Sequence, residues 1–101
     1  MLAAVRIVPN PVKEAVNRRK HGWSFERVAE IFEHPVLELP DDRPLGYENE
    51  ARIQLTGRIG QRVVRLAFEP VDVDAVELAV RPISLRDATR GEEQDYWSLF
   101  R

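Results

Sequence analysis

Three consecutive stretches of alternating residues constrain this chain more than anything else in it: "ARIQLTG" at 51–57, "RVVRLAFE" at 62–69 and "AVELAVRPI" at 75–83. A period of two sends successive side chains to opposite faces of a strand. Gly57 and Gly60 mark a first turn and "EPVDVD" a second, so the three stretches read as a meander. One face collects Ile53, Leu55, Gly57, Val64, Leu66, Phe68, Val76, Leu78 and Val80. The other carries Arg52, Gln54, Thr56, Arg58, Val63, Arg65, Ala67, Glu69, Glu77, Ala79, Arg81 and Ile83. Pro82 lacks an N–H for the ladder, which predicts an edge position or a bulge there.

The rest of the chain supplies the other layer. "AAVRIV" at 3–8 reads as a short strand. Asn10 before Pro11 predicts a helix start that runs to about His21 and stops at Gly22. Its apolar positions Val12, Ala15 and Val16 make one narrow stripe. Ser24 caps a second helix that buries Phe25, Val28, Ala29, Ile31 and Phe32 and ends before Pro35. "VLEL" at 36–39 is a short strand candidate, "PDDRPLGYENE" a loop, and Thr89 with Glu92 a capping box for a last helix through Phe100. Helices early and a meander late imply an α+β fold: an antiparallel sheet of about four strands, two N-terminal helices on one face and a C-terminal helix. At 101 residues this is a single domain, 1–101.

Composition excludes several classes. The absence of cysteine leaves no disulfide and no thiolate metal site, and His21 and His34 lack ligand-like spacing. No apolar run approaches a membrane span, and "MLAAVRIVP" is too short and interrupted for a signal peptide, so a cytoplasmic protein is expected. The net charge of −2 gives no global attraction to nucleic acid. Lys13 and Lys20 are the only lysines among 15 basic residues, so 13 are arginine. Arginine's planar fork suits phosphate and carboxylate recognition; a bias in codon composition would produce the same excess.

Arg52, Arg58, Arg65 and Arg81 share the second face of the meander, with Ser84 and Arg86 just beyond it. Two readings stand: a local positive field that grips an anion, or a solvated face whose arginines pair with Glu69 and Glu77. "NRRKHG" at 17–22 puts further cations and His21 at the end of the first helix, where His21 can also simply complement the helix dipole. A helix-turn-helix reading of residues 11–34 ranks low, because its second helix sets Glu26, Glu30 and Glu33 against Arg27 alone.

Three blocks resemble a known family. "NPVKEAVNRRKHGWSFERVAEIFEHP", with its Asn, Lys-His-Gly and Ser-Phe-Glu pattern, is similar to the opening helices of BrnT toxins. "ENEARIQLTGR" resembles their Glu-x-Arg strand ending in Gly-Arg, and "RPISLRDAT" their Arg-x-Ile-Ser-x-Arg-x-Ala segment. Pro9-Asn10 stands where that family tends to have Trp-Asp, and Asn49 precedes Glu50 where it has Gly. The resemblance implies a RelE-like fold and a ribonuclease toxin of a bacterial type II toxin–antitoxin pair that inhibits translation. It also implies neutralisation by a BrnA-like antitoxin with a ribbon-helix-helix part, with operator DNA contacted only through that antitoxin. RelE-like folds leave the sheet face opposite the helices open to RNA.

Metal-free RNA cleavage must deprotonate a ribose 2′-OH, offset charge on the phosphorane and reprotonate the 5′-oxygen. The expected catalytic set is Lys20, His21, Arg58 and Arg81, with Arg52, Arg65, Ser84 and Arg86 binding RNA, and with no metal and no cofactor. Histidine is the side chain that ordinarily exchanges a proton near neutrality, and Lys20 orients the phosphate or joins the acid–base work. Ser84 is a phosphate donor or a helix cap. Any apolar residue of "YWSLF", 96–100, left exposed would be an antitoxin contact. The alternative is a non-catalytic module that binds an antitoxin and acts only in operon repression.

Overall fold

The computed structural model describes residues 4–39, 52–73 and 77–100. The elements are β1 (Ala4–Ile7), α1 (Pro11–His21), a 3-10 turn (Phe25–Arg27) leading into α2 (Val28–Ile31), β2 (Leu37–Leu39), β3 (Ile53–Ile59), β4 (Arg62–Val73), β5 (Glu77–Asp87) and α3 (Arg90–Phe100). They form one five-stranded sheet in the order β1-β5-β4-β3-β2. The loop expected at 40–50 lies outside the described residues.

The α+β class and the meander stand, but the sheet is mixed and larger than expected. β1 pairs with β5 in parallel, Ala4 opposite Glu77 through Ile7 opposite Val80, while the other pairings are antiparallel. The N-terminal strand has no hairpin partner, since the helices follow it directly. It satisfies its backbone on the free side of β5, where its direction makes the pairing parallel. β5 is therefore an interior strand, and of the two positions open to Pro82 the bulge is the one found. Phe68 pairs with Pro82 and Ala67 with Ser84, which leaves Ile83 as the extra residue.

β1 ends too early to cover β5, and α1 takes over. The last β1-side bond runs from Val8 N–H to the Val80 carbonyl at 2.8 Å. Beyond it the Asn17 amide behaves like a neighbouring strand. Its Nδ2 donates to the Leu85 carbonyl at 2.9 Å and to the Trp23 carbonyl at 3.3 Å, and its Oδ1 accepts from Leu85 N–H at 2.8 Å. Asn17 is 3 % exposed. Asn17→Ala is expected to cost about 3 kcal/mol in urea denaturation, because it leaves both backbone groups of Leu85 buried without partners.

This anchoring sets the orientation of α1. Asn17 is the helix's buried residue, and Val12, Ala15 and Val16 all face solvent. The apolar stripe thus points away from the core, because a polar side chain inside satisfies backbone that no strand reaches.

The core lies between the helical segment and the other face of the sheet. Trp23, Phe25, Val28 and Ile31 pack on Leu55, Ile59, Val64, Leu66, Phe68, Val80 and Leu85. α2 approaches β3 so closely that a Cβ on Gly57 would fall 2.5 Å from Ile31 Cγ2, which explains a glycine inside a strand. The predicted second helix is shorter than expected. Ser24 does cap it, accepting from Glu26 N–H, but its first turn is 3-10 and only four residues are α-helical.

α3 covers the sheet face that was expected to stay open. Its capping box forms as expected: Thr89 N–H donates to Glu92 Oε1 at 2.8 Å and Glu92 N–H to Thr89 Oγ1 at 3.3 Å. Tyr96 is fully buried and its hydroxyl donates to the Pro35 carbonyl at 2.7 Å. Thr56 and Val63, on the arginine-bearing parity, are buried too. Of "YWSLF", Leu99 remains 60 % exposed. Among the described residues no helix is long and apolar enough to cross a membrane.

Candidate functional site

Two arginines on the second face are drawn together. Arg65 and Arg86 are cross-strand partners on β4 and β5. Cations placed opposite one another repel unless something sits between them. Glu92, from the first turn of α3, fills that role. Arg86 Nη1 and Nη2 donate to its two oxygens at 2.9 and 3.0 Å, and Arg65 Nη1 donates to Oε2. Arg65 also donates to Gln54 Oε1 at 3.1 Å. The Arg86 hydrogen bonds lower the Glu92 carboxyl from 4.5 to about 2, against an upward push from burial and with help from Thr89 N–H and the Arg65 charge. Arg65 and Arg86 therefore hold α3 on the sheet by gripping a carboxylate, with the geometry that would grip a phosphate.

The other arginines of this face lie apart. Arg58 donates to the Gly60 carbonyl at 2.8 Å and stacks under Trp97 at 5.7 Å, so α3 covers it as well. Arg81 faces Glu69 at 3.7 Å, an ion pair with two-fifths of each side chain exposed. Arg58 is opposite Val63 of β4 and Arg81 is opposite Glu69, six residues along the same strand. At about 3.3 Å per residue that separates them by about 20 Å along the strand direction alone. A single phosphate cannot touch both. Arg52 lies just before β3, half-buried.

The docking of α1 on β5 makes a second, cationic site. Asn17 binds Leu85, so the residues one turn on, Lys20 and His21, come beside Ser84. Lys13, Val16, Asn17, Lys20, His21, Ile83 and Ser84 line a cleft of about 200 Å³. Arg81, Ser84 and Arg86 oppose Glu69, Ala67 and Arg65 of β4, alternate residues of one strand, and so share a face. Ser84 thus stands between two arginines, each about 7 Å away along β5.

Of the residues expected from sequence, Lys20, His21 and Ser84 are brought into one cleft, and Arg81 and Arg86 share the face of β5 that carries Ser84. Arg65 joins Arg86 on Glu92, and Arg58 is set apart. Three participants were not foreseen. Asn17 carried a signal, because an asparagine in the middle of a helix has poor propensity and calls for a partner. Lys13 sits seven residues before Lys20, two turns up the same side of the helix. Glu92 was legible as a cap but not as the counter-ion of two strand arginines. Among the described residues no three histidine, aspartate or glutamate side chains gather as a metal site.

The α+β fold thus sets a histidine, two lysines and a serine around one cleft, side chains whose donors suit an anion. The model for the ribonuclease toxin BrnT of type II toxin–antitoxin systems matches residues 10–92. That span contains α1 through the first turn of α3, and the chain belongs to the BrnT family. No curated protein sequence matches the chain.

Proposed function

We propose that this protein is a metal-independent ribonuclease that inhibits translation in the cytoplasm, and that cleavage takes place in the cleft between α1 and β5. The observation that carries the reading is that Lys20 and His21, at the end of α1, line one cleft with Ser84, which is distant from them in sequence. An RNA strand laid along β5 would present its phosphodiester to Ser84, whose hydroxyl donates to a non-bridging oxygen. Arg81 and Lys20 offset the charge that grows on the phosphorane. The ribose 2′-oxygen attacks phosphorus as its proton leaves, and the 5′-oxygen departs and takes up a proton. The products are a 2′,3′-cyclic phosphate and a free 5′-hydroxyl. His21 is the proton-transfer group of this step. Its partner is a BrnA-like antitoxin of the ribbon-helix-helix type, and operator DNA is contacted only through it.

Purified protein is expected to cleave RNA in EDTA, and His21→Ala to slow this about 100-fold or more with the fold unchanged by circular dichroism. Retention of full activity in that variant removes His21 from the mechanism. A second reading, a non-catalytic partner of the antitoxin in operon repression, is favoured by the net charge of −2 and by the grip of Glu92 on Arg65 and Arg86. It predicts complex formation with no cleavage and no growth arrest.

A further inference from the structure

We propose that the outward stripe of α1, formed by Val12, Ala15, Val16 and Arg19, is where the antitoxin docks, and that the segment it receives is acidic and amphipathic. Three observations lead there. Val12 is 74 % exposed and Val16 37 %, on a helix whose buried residue is an asparagine. A helix that turns its valines outward while burying an amide presents apolar surface for something else to cover. Lys13, Arg18, Arg19 and Lys20 are exposed along the same helix. Its one acid, Glu14, is half-buried, three residues from Asn17 and so on the sheet side. The stripe therefore has a cationic rim, which selects a partner with carboxylates around an apolar ridge.

The same features disfavour other occupants. A second copy pairing through α1 would set Lys13, Arg19 and Lys20 against their own kind, a like-charge contact that costs affinity. RNA would use the cations but gain nothing from valine and alanine, which offer no ring for a base to stack on. The stripe also adjoins the cleft, since Lys13, Val16 and Lys20 line it. A segment seated on Val12 and Val16 overhangs the mouth beside His21 and Ser84. Neutralisation by obstruction follows, and this last step alone rests on the ribonuclease reading.

The test pairs the full chain with a purified BrnA-like antitoxin of the ribbon-helix-helix type, measured by calorimetric titration. Val12→Asp with Arg19→Glu places two negative charges on the stripe, at residues that do not line the cleft. The double variant is expected to bind the antitoxin about 100-fold more weakly, with unchanged thermal stability and unchanged RNA cleavage in the antitoxin's absence. The conservative pair Val12→Leu with Arg19→Lys keeps wild-type affinity. Wild-type affinity in the charge-reversed variant overturns the proposal. So does a loss of RNA affinity with antitoxin binding intact, or a wild-type dimer in sedimentation that the variant breaks. If the wild-type chain cleaves no RNA yet the variant still loses the antitoxin, the ribonuclease reading falls and the docking surface stands.

Discussion

Glu92→Ala is expected to lower stability by about 4 kcal/mol, a large part of the roughly 5–15 kcal/mol available to a domain of this kind. The change does two things together. It removes the carboxylate between Arg65 and Arg86, whose side chains are 18 % and 34 % exposed, and so leaves two partly buried cations facing each other. It also removes the acceptor for Thr89 N–H at the start of α3, a loss of about 1 kcal/mol. Glu92→Gln separates the two effects, since glutamine still serves a capping box but cannot neutralise the arginines. It is expected to cost about half as much. Adding Arg86→Met to Glu92→Ala should recover part of the loss, because the repulsion then has one member fewer.

The same carboxylate sets an acid limit. Glu92 titrates at about 2 in the folded protein against 4.5 ordinarily. A lowered folded value means that the ionised form is stabilised by folding. The contribution is thus complete above pH 4.5 and is lost as the pH falls toward 2, to the extent of about 3 kcal/mol. Urea midpoints measured across that window should fall steeply in the wild type and less so in Glu92→Gln. Equal slopes would place the acid sensitivity elsewhere.

What the sequence disclosed, and what it concealed, follows from which forces are local. The meander was readable because alternation at Ile53, Leu55, Val64, Leu66 and Phe68 is decided residue by residue. Gly22 as a helix stop, the Ser24 cap and the Thr89–Glu92 capping box were readable for the same reason, since each is completed within four residues. Pairing between distant elements was not. Nothing in "AAVRIV" shows that it lies parallel to β5, and nothing in Val12, Ala15 and Val16 shows that they face outward. That orientation is set by Asn17 binding a backbone 68 residues away. The cationic face misled in a related way. Parity placed Arg58, Arg65 and Arg81 on one side of the sheet, as found, but could not tell that α3 would cover Arg58 and Arg65 or that register would separate Arg58 from Arg81.

That separation yields the largest expected effect on activity. Arg81→Ala should reduce RNA cleavage about 1,000-fold, whereas Arg58→Ala should leave it within a few-fold of wild type. Under the proposed mechanism charge develops on the phosphate held at Ser84. Arg81 is one alternation step from Ser84 on the same face of β5, within the reach of a long side chain, and its Glu69 contact at 3.7 Å is loose enough to exchange for a phosphate. Loss of a group that meets transition-state charge costs about 10²–10³ in rate when it acts alone. Here the alanine also frees Glu69 to repel the substrate, which moves the expectation to the upper end. Arg58 sits about 20 Å further along the strand direction, tied to Gly60 and stacked on Trp97. Its loss should appear instead as about 1 kcal/mol of stability, through weaker packing of α3. The two variants, assayed for cleavage and for thermal unfolding, should show opposite patterns: Arg81→Ala inactive with an unchanged midpoint, Arg58→Ala active with a lowered one. If both are inactive at wild-type stability, the phosphate is held across the sheet rather than beside α1, and the cleft is not where the strand is cut.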